Sequence, residues 1–488
     1  PPVAANHNCS THPSSVVPRA ASELVQTHLE PTRRQSPDAS TSSLSANILS
    51  LARHHAGPPP PRIRLSIPAS ARWLALTSVL ALAARATAQR PATAPAARDT
   101  LIPVAQLRED ARIARMALVQ SQVGRTWFQS ERDFTAGFDA LNRALTAPLR
   151  RRDFHRRLAP LVAALGHGHV TLERPVPSLR YCTRFLDSTA HYLPYALQIA
   201  DRHVYITADL SSASPFSPGT ELLTVDGVPT AALIDSIEHY LSADGRNTSF
   251  KRFQLGTDFR FHEWLDLIYG PRVTRMATVR RTNGATASRV VGFTTPREMM
   301  TRHVLRTGRA IDTFPPAVAL TMLQPRAALL TVFSFWDGLL PKAQGTFETA
   351  LTTAFRTIGD SGVTDLVIDV WRNEGGAGNY PPLLYSFVAS RPFDFYGRTI
   401  VASDSLSWLQ YAPDASEDLK AFAVTPQDFI ERTADGLWQL KRKPDETSLT
   451  APRTDAYSGR LFVLTDGGSF SAANVFVQGV ATAWALGG

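Results

Sequence analysis

Cysteine is nearly absent from this chain, because only Cys9 and Cys182 occur among 488 residues. Two thiols are too few for a disulfide framework or a cysteine-based metal centre, and we interpret Cys182 as a small buried apolar residue. No Lys/Arg run with interleaved aromatic residues accompanies the net charge of +9, so the charge does not indicate nucleic-acid binding. No apolar run reaches the roughly 20 residues that a bilayer requires, so we expect no stable membrane insertion. The 44% of hydrophobic residues suffices for large cores and excludes wholesale disorder.

The first 88 residues are predicted to lie outside the folded protein. Residues 1–61 are rich in proline, serine and arginine and show no apolar period, which indicates an upstream or disordered extension. Residues 62–88 place a basic stretch before an apolar run, Trp73–Ala84, and then small residues up to Ala88. This order is typical of a secretory signal peptide, so we predict an exported, periplasmic or extracellular protein.

Three further regions follow from changes in apolar spacing. Residues 89–172 show helical spacing in three stretches and end in a glycine-flanked Gly-His-Gly-His turn, which predicts an N-terminal helical domain. Residues 173–295 contain short extended runs punctuated by turn signals and predict a β-leaning domain. Residues 296–488 alternate strand and helix, which predicts an α/β domain with parallel βαβ crossovers. Ligand sites of such sheets lie at the carboxyl ends of the strands.

A serine stands at such a strand end. The stretch Leu464–Ala473 leaves a predicted strand, turns on two glycines and places Ser471 at the start of a helix. A hydroxyl there lies at the positive end of the helix, beside amide groups that can stabilise an oxyanion. The alternative is that Ser469 or Ser471 is simply a helix N-cap, and spacing alone does not decide between the two.

Two other loops complete a candidate site. The loop after the strand Thr364–Val370 contains Gly375 and Gly376, whose amides are candidate oxyanion donors beside Ala472, although an isolated Gly-Gly pair is more often only a turn. His169 is a candidate general base, and His167 is the more dispensable of the two histidines in its turn. A metal-binding pair is disfavoured, because no Cys, Asp or Glu stands near them at ligand spacing.

Four motifs occur together in a characteristic order. They are the G-H-G-H-V turn at residues 166–170, the P-G-T-E-L-L-T-V-D-G unit at 218–227, the D-V-W-R-N-E-G-G loop at 369–376 and the G-G-S-F-S-A-A turn at 467–473. In this order the chain resembles the C-terminal processing (tail-specific) serine peptidases, and more closely the branch similar to the tricorn protease core. The resemblance spans about residues 105 to 480.

The resemblance implies the fold, the activity and the site. It implies a crotonase/ClpP-like parallel βαβ catalytic core with an N-terminal helical region and a PDZ-like or cap domain. Ser471 corresponds to the nucleophile, His169 to the general base, and Ala472 with Gly375 or Gly376 to the oxyanion hole. The implied reaction is hydrolysis of peptide bonds in a peptide or unfolded protein through an acyl-enzyme, with no metal or organic cofactor. No oligomeric state is predicted.

The chain departs from the family pattern at several positions. The family has aspartate where His167 stands, threonine at Val170, arginine and glycine at Trp371 and Arg372, and glycine at Glu374. Glutamate is also frequent in the family where this chain has Asn474. The family further implies a lysine or glutamate after the nucleophile, and we expect that third partner beyond Gly488, in a chain that continues past this point.

Two other functions remain open from the residues. The same fold with an altered oxyanion loop is compatible with a non-catalytic module that binds peptides or apolar ligands. An esterase of the α/β-hydrolase class is disfavoured, because the G-x-S-x-G elbow is absent at Ser471.

Overall fold

The structure is a computed structural model that describes residues 26–27, 101–172, 192–211, 215–257, 259–308, 314–441 and 449–485. The predicted signal peptide, both cysteines and all of the predicted extension except strand β1 (Gln26–Thr27) lie outside the described residues. Within the described part, no helix has the length and apolar character needed to cross a membrane.

The N-terminal helical region forms as predicted. It consists of β2 (Leu101–Ile102), α1 (Val104–Ser121), α2 (Glu131–Ala144), β3 (Leu149–Arg150) and α3 (Arg151–Ala163). Helix α2 begins where it does because the Ser130 hydroxyl accepts a hydrogen bond from the amide of Asp133, which satisfies a free first-turn donor. The three helices bury one apolar stripe each into a shared core that includes Leu107, Leu118, Phe134, Phe154 and Leu158.

The middle of the chain folds around an antiparallel sheet. Its strands are β4 (Tyr195–Ala200), β5 (His203–Asp209), β6 (Thr220–Val225), β7 (Val228–Pro229), β8 (Thr274–Arg280) and β9 (Thr286–Gly292). The order is β4-β5-β6-β8-β9, and β7 pairs with β6. Every second residue of β8 is buried, as expected of a strand with one face on a core.

Helices cover the buried face of this sheet. They are α4 (Thr230–Glu238), α5 (Thr248–Gly256), α6 (Arg260–Tyr269) and α7 (Pro296–Thr307). Trp264 of α6 and Ile234 of α4 join Ala277 and Val279 of β8 in one buried cluster. The predicted strands of this region are present, whereas helices α4 to α6 were not predicted.

The last third contains the predicted parallel sheet. Its elements are β10 (Val318–Gln324), β11 (Ala327–Val332), α8 (Phe347–Asp360), β12 (Asp365–Asp369), α9 (Tyr380–Ser386), β13 (Thr399–Val401), α10 (Glu417–Val424), α11 (Pro426–Phe429), β14 (Ile430–Arg432), β15 (Trp438–Leu440), β16 (Arg460–Leu464) and α12 (Ala472–Ala485). The main sheet has the order β10-β11-β12-β16, and β1, β13, β15 and β14 form a small separate sheet.

The register of the main sheet decides where a site can lie. Strands β11, β12 and β16 run parallel, with Thr331 opposite Asp369 and Asp369 opposite Leu464. All three strands therefore end at one edge, and the loops that follow them start side by side. Strand β10 pairs antiparallel with the other edge of β11. Helix α8 packs its buried face against this part of the sheet.

Candidate active site

Ser471 occupies a strained turn between β16 and α12. Its φ is 54°, in the left-handed region that non-glycine residues rarely adopt. An ordinary N-cap residue has extended backbone, so this conformation argues against a simple capping role for Ser471. Strain of this kind is concentrated at functional sites.

The neighbouring Ser469 has a structural role instead. Its hydroxyl donates to the carbonyl of Val370 at 2.8 Å and accepts from the amide of Asp466 at 3.0 Å. Ser469 therefore fastens the turn to the loop after β12 and is not available as an N-cap or nucleophile. The hydroxyl of Ser471, by contrast, has no hydrogen-bond partner among the described residues.

The first turn of α12 supplies one candidate oxyanion donor. The amide of Ala473 donates to the carbonyl of Phe470, and that of Val475 donates to the carbonyl of Ser471. The amide of Ala472 has no acceptor among the residues that the structure describes. It lies at the positive end of the helix, directly after the serine, as the sequence predicts.

Asn373 organises the loop that carries the two glycines. Its side chain is fully buried, donates to the carbonyl of Val332 at 2.7 Å and accepts from the amide of Gly375 at 2.8 Å. Its carbonyl accepts from the amide of Phe470 at 3.0 Å. The side chain and the backbone carbonyl of Asn373 thus connect the end of β11, the glycine loop and the serine turn.

The two predicted oxyanion glycines have different surroundings. A Cβ on Gly375 would lie 2.7 Å from the Cβ of Ser471, so this glycine packs directly on the candidate nucleophile. A Cβ on Gly376 would overlap the carbonyl of Phe335, and φ at Gly376 is 146°. The Gly375 amide is used by Asn373, whereas that of Gly376 has no acceptor in the described part of the chain. Gly376 is therefore the better candidate for the second oxyanion donor.

Asp466 further ties the two loops together. Its Oδ1 accepts hydrogen bonds from the amides of Arg372 and Gly468, both at 2.9 Å. Arg372 also has a positive φ, 59°, so each of the two loops contains one strained non-glycine residue. The loops after β12 and β16 form one hydrogen-bonded unit, which fixes Ser471 against Gly375.

The turn that carries His169 is attached to a loop of the middle region. The amide of Gly168 donates to Oδ1 of Asp244 at 2.7 Å, and the amide of Gly245 donates to the carbonyl of Gly166 at 2.8 Å. The Ser242 hydroxyl donates to the carbonyl of Val170 at 2.6 Å. These three bonds hold the Gly-His-Gly-His turn in place from a segment more than seventy residues away.

Phe470 brings His169 and Ser471 to the same place. The Phe470 ring lies 4.5 Å from the imidazole of His169 and 4.1 Å from the ring of Phe250 on α5. A Cβ on Gly168 would be 2.6 Å from the same ring. Because Phe470 directly precedes Ser471, the predicted base lies beside the serine turn, although no hydrogen bond joins their side chains among the described residues. Catalytic hydrogen bonds are often completed only when substrate is bound.

Burial keeps both histidines of the turn neutral near pH 7. It lowers the pKa of His169 to about 4, against an opposing effect of the Asp244 carboxylate, and His167 adds to the lowering. Burial also lowers the pKa of His167, and Asp244 again opposes it. A neutral imidazole is the form that accepts a proton from a nucleophile.

The sequence argument against a metal pair at His167 and His169 considered only residues near them along the chain. The fold brings a carboxylate, Asp244, to the two imidazoles, so that one donor atom from each residue lies within 4.8 Å of the others. Sequence spacing did not reveal it, because Asp244 lies on a different loop of the chain.

Four residues of the site were not singled out from the sequence: Asp244, Asn373, Asp466 and Phe470. Asn373 and Asp466 each follow closely on a strand of the main sheet, and polar residues at strand ends were the signal that would have identified them. Asp244 carries no such signal. The predicted lysine or glutamate beyond Gly488 stays a prediction.

Comparisons with known proteins identify the fold. No protein-family model and no curated protein matches the chain. Crystal structures of CPAF match the chain: the mature form at 15% identity and a TM-score of 0.50, and a mutant form at 14% identity and a TM-score of 0.52. Each match covers 78% of this chain and 82% of the other. The photosystem II D1 C-terminal processing protease matches over 78% of this chain and 79% of its own at 12% identity, with a TM-score of only 0.34. The chain therefore shares the fold of CPAF.

Proposed function

We propose that this protein is an exported serine peptidase in which Ser471 is the nucleophile and His169 the general base. The observation that carries the proposal is the conformation of Ser471: a strained left-handed serine before a helix, in contact with a glycine loop, whose hydroxyl has no hydrogen-bond partner in the described part of the chain. The core that holds it would be of the crotonase/ClpP-like type, and residues 173–295 would act as a PDZ-like or cap unit. Export is supported by the signal pattern at residues 62–88.

The reaction consists of two acyl transfers. Ser471 Oγ attacks the carbonyl carbon of a peptide bond while the imidazole of His169 takes the hydroxyl proton. The C–N bond of the tetrahedral intermediate then breaks, and the protonated His169 returns its proton to the leaving amine. Water, deprotonated by His169, hydrolyses the resulting ester and releases the new carboxyl terminus.

Two backbone amides would stabilise the negative charge that develops on the carbonyl oxygen. Ala472 and Gly376 each present an amide with no acceptor among the described residues, one at the start of α12 and one in the glycine loop. Donors of this kind are worth about 2.7–4 kcal/mol each in related chemistry. The substrate would be a peptide or an unfolded protein, because only an extended chain brings its carbonyl into a loop-bounded site.

The test combines covalent labelling with kinetics. We expect a fluorophosphonate probe to label Ser471, as located by peptide mass spectrometry, and we expect hydrolysis of an unstructured peptide. Ser471→Ala abolishes labelling, and both Ser471→Ala and His169→Ala lower kcat/KM by about 10⁴-fold or more. Ser361→Ala and His239→Gln, at exposed positions away from the site, serve as controls and keep both activities.

The alternative is a binding module that does not cleave. A folded wild-type protein that resists the probe and leaves peptides intact, yet binds them in a fluorescence anisotropy assay, would replace the peptidase proposal with this one.

A further inference from the structure

Three potential metal ligands meet beside the serine turn. His167 and His169 alternate with glycines in one tight turn, and Asp244 reaches them from the loop before α5. One donor atom from each lies within 4.8 Å of the other two. In a tetrahedral zinc site the ligand atoms are about 3.3 Å apart, which follows from metal–ligand bonds of about 2.0–2.1 Å. Side-chain movements of about 1 Å would therefore close the cluster around an ion.

The hydrogen bonds around the cluster leave ligand positions available. Oδ1 of Asp244 accepts from the amide of Gly168, which orients the carboxylate and leaves Oδ2 for an ion. Nδ1 of His167 accepts from the amide of His169 at 3.2 Å, a long hydrogen bond that metal binding would replace. One neutral hydrogen bond is a small loss beside a metal–nitrogen bond.

We propose that His167, His169 and Asp244 bind a divalent transition-metal ion of the zinc class, and that the bound ion switches the peptidase off. Two imidazoles and one carboxylate suit zinc, whereas magnesium and calcium prefer oxygen ligands throughout. Three protein ligands leave a fourth position open, which water can fill.

The inhibitory effect rests on the proposed function of His169. A lone pair that coordinates a metal ion does not accept a proton from Ser471, so the ion and the general base compete for one imidazole. The site is specific to this chain's own residues, since His167 stands where the resembling family has aspartate.

Binding is tested without reference to activity. The metal-free full chain is titrated with Zn²⁺ by calorimetry, and with Co²⁺, whose visible absorption bands report tetrahedral coordination. We expect one equivalent to bind in the wild type. Both His167→Gln and Asp244→Asn should bind at least tenfold more weakly, and Asn at residue 244 keeps the acceptor for the Gly168 amide. His239→Gln, a change of the exposed histidine directly after α4, controls for surface binding and keeps the wild-type affinity.

Inhibition is measured separately, with each variant compared with its own chelator-treated activity. Stoichiometric Zn²⁺ should lower the rate of peptide hydrolysis by the wild type at least tenfold. In His167→Gln, the rate with the same Zn²⁺ concentration should be nearly equal to the rate after chelator treatment. Failure to bind one equivalent, or binding that neither substitution weakens, would overturn the metal site. Binding without inhibition, or activation by Zn²⁺, would overturn the regulatory role. If the protein cleaves no peptide at all, the proposed function fails, while the Co²⁺ spectrum still decides the metal site.

Discussion

Asn373 gives the sharpest test of how the site is held together. Its amide group bridges two buried backbone groups, the carbonyl of Val332 and the amide of Gly375, at 2.7 and 2.8 Å. Asn373→Ala removes both bonds and leaves both partners away from water, because the side chain is fully buried. Each buried group left unpaired costs about 1–3 kcal/mol, so the free energy of unfolding should fall by about 2–6 kcal/mol.

Asn373→Ala should also lower kcat by more than its loss of stability explains. Asn373 holds the glycine loop that presents the Gly376 amide, and loss of one oxyanion donor lowers kcat by about 10²–10³-fold. We therefore expect kcat to fall by this amount at temperatures where Asn373→Ala is still folded, with a smaller change in KM. Urea unfolding followed by tryptophan fluorescence gives the stability, and fluorophosphonate labelling rates give the activity of the serine independently of any peptide substrate.

A matched control lies in the same loop. Asn379 is exposed and makes no capping bond to α9. Asn379→Ala should therefore change the free energy of unfolding by no more than about 0.5 kcal/mol and leave the labelling rate unaltered. If Asn373→Ala behaves like Asn379→Ala in both measurements, the reasoning that Asn373 holds the loop is refuted.

Two further substitutions probe the loop and the core. Gly376→Ala places a methyl group onto a neighbouring carbonyl at a φ of 146°, so kcat should fall at least 10²-fold in a peptide assay. Gly359→Ala, which meets open space in the last turn of α8, should keep the activity and raise stability by no more than about 0.5–1 kcal/mol in urea unfolding. Equal activity of the two variants would contradict the proposed geometry. Burial lowers the pKa of His262 from 6.5 to about 4, so between these pH values the unfolded chain binds a proton at this histidine and the folded protein does not. The free energy of unfolding should therefore fall by about 3 kcal/mol as the pH falls from 6.5 to 4. His262→Gln should flatten the pH dependence of unfolding by that amount, and an unchanged slope would show that the residue titrates normally.

Much of the architecture could be predicted because it follows from the local spacing of apolar residues. The three helices before Gly166 and the strands β12 and β16 follow from apolar period and from uninterrupted apolar runs. Helix α8 begins at Phe347, because Gly345 has a φ of 71° and the Thr346 hydroxyl caps the helix through the amide of Thr349. Such starts depend on a cap geometry that apolar spacing does not encode.

The candidate site was predictable only in part. Ser471, Gly375 and Gly376 lie on loops that a parallel sheet must bring to one edge, so their proximity follows from strand order. The position of Asp244 depends on how the middle region docks against the Gly-His-Gly-His turn, which is a tertiary contact between distant segments. Helices α4 to α6 were missed for a related reason, since they interrupt a region whose turn signals favoured strands.

The two proposed catalytic groups lie far apart along the chain. About 300 residues separate His169 from Ser471, and the Phe470 ring, directly before Ser471, packs on both His169 and Phe250 of α5. Contacts of such long sequence separation form late in folding, because their loop-closure entropy must first be offset by other contacts. A growing chain therefore contains His169 long before Ser471 is made, and a partly folded chain keeps the two apart. Under the proposed function, folding itself brings the nucleophile and its base together, so a chain that has not finished folding lacks the assembled site.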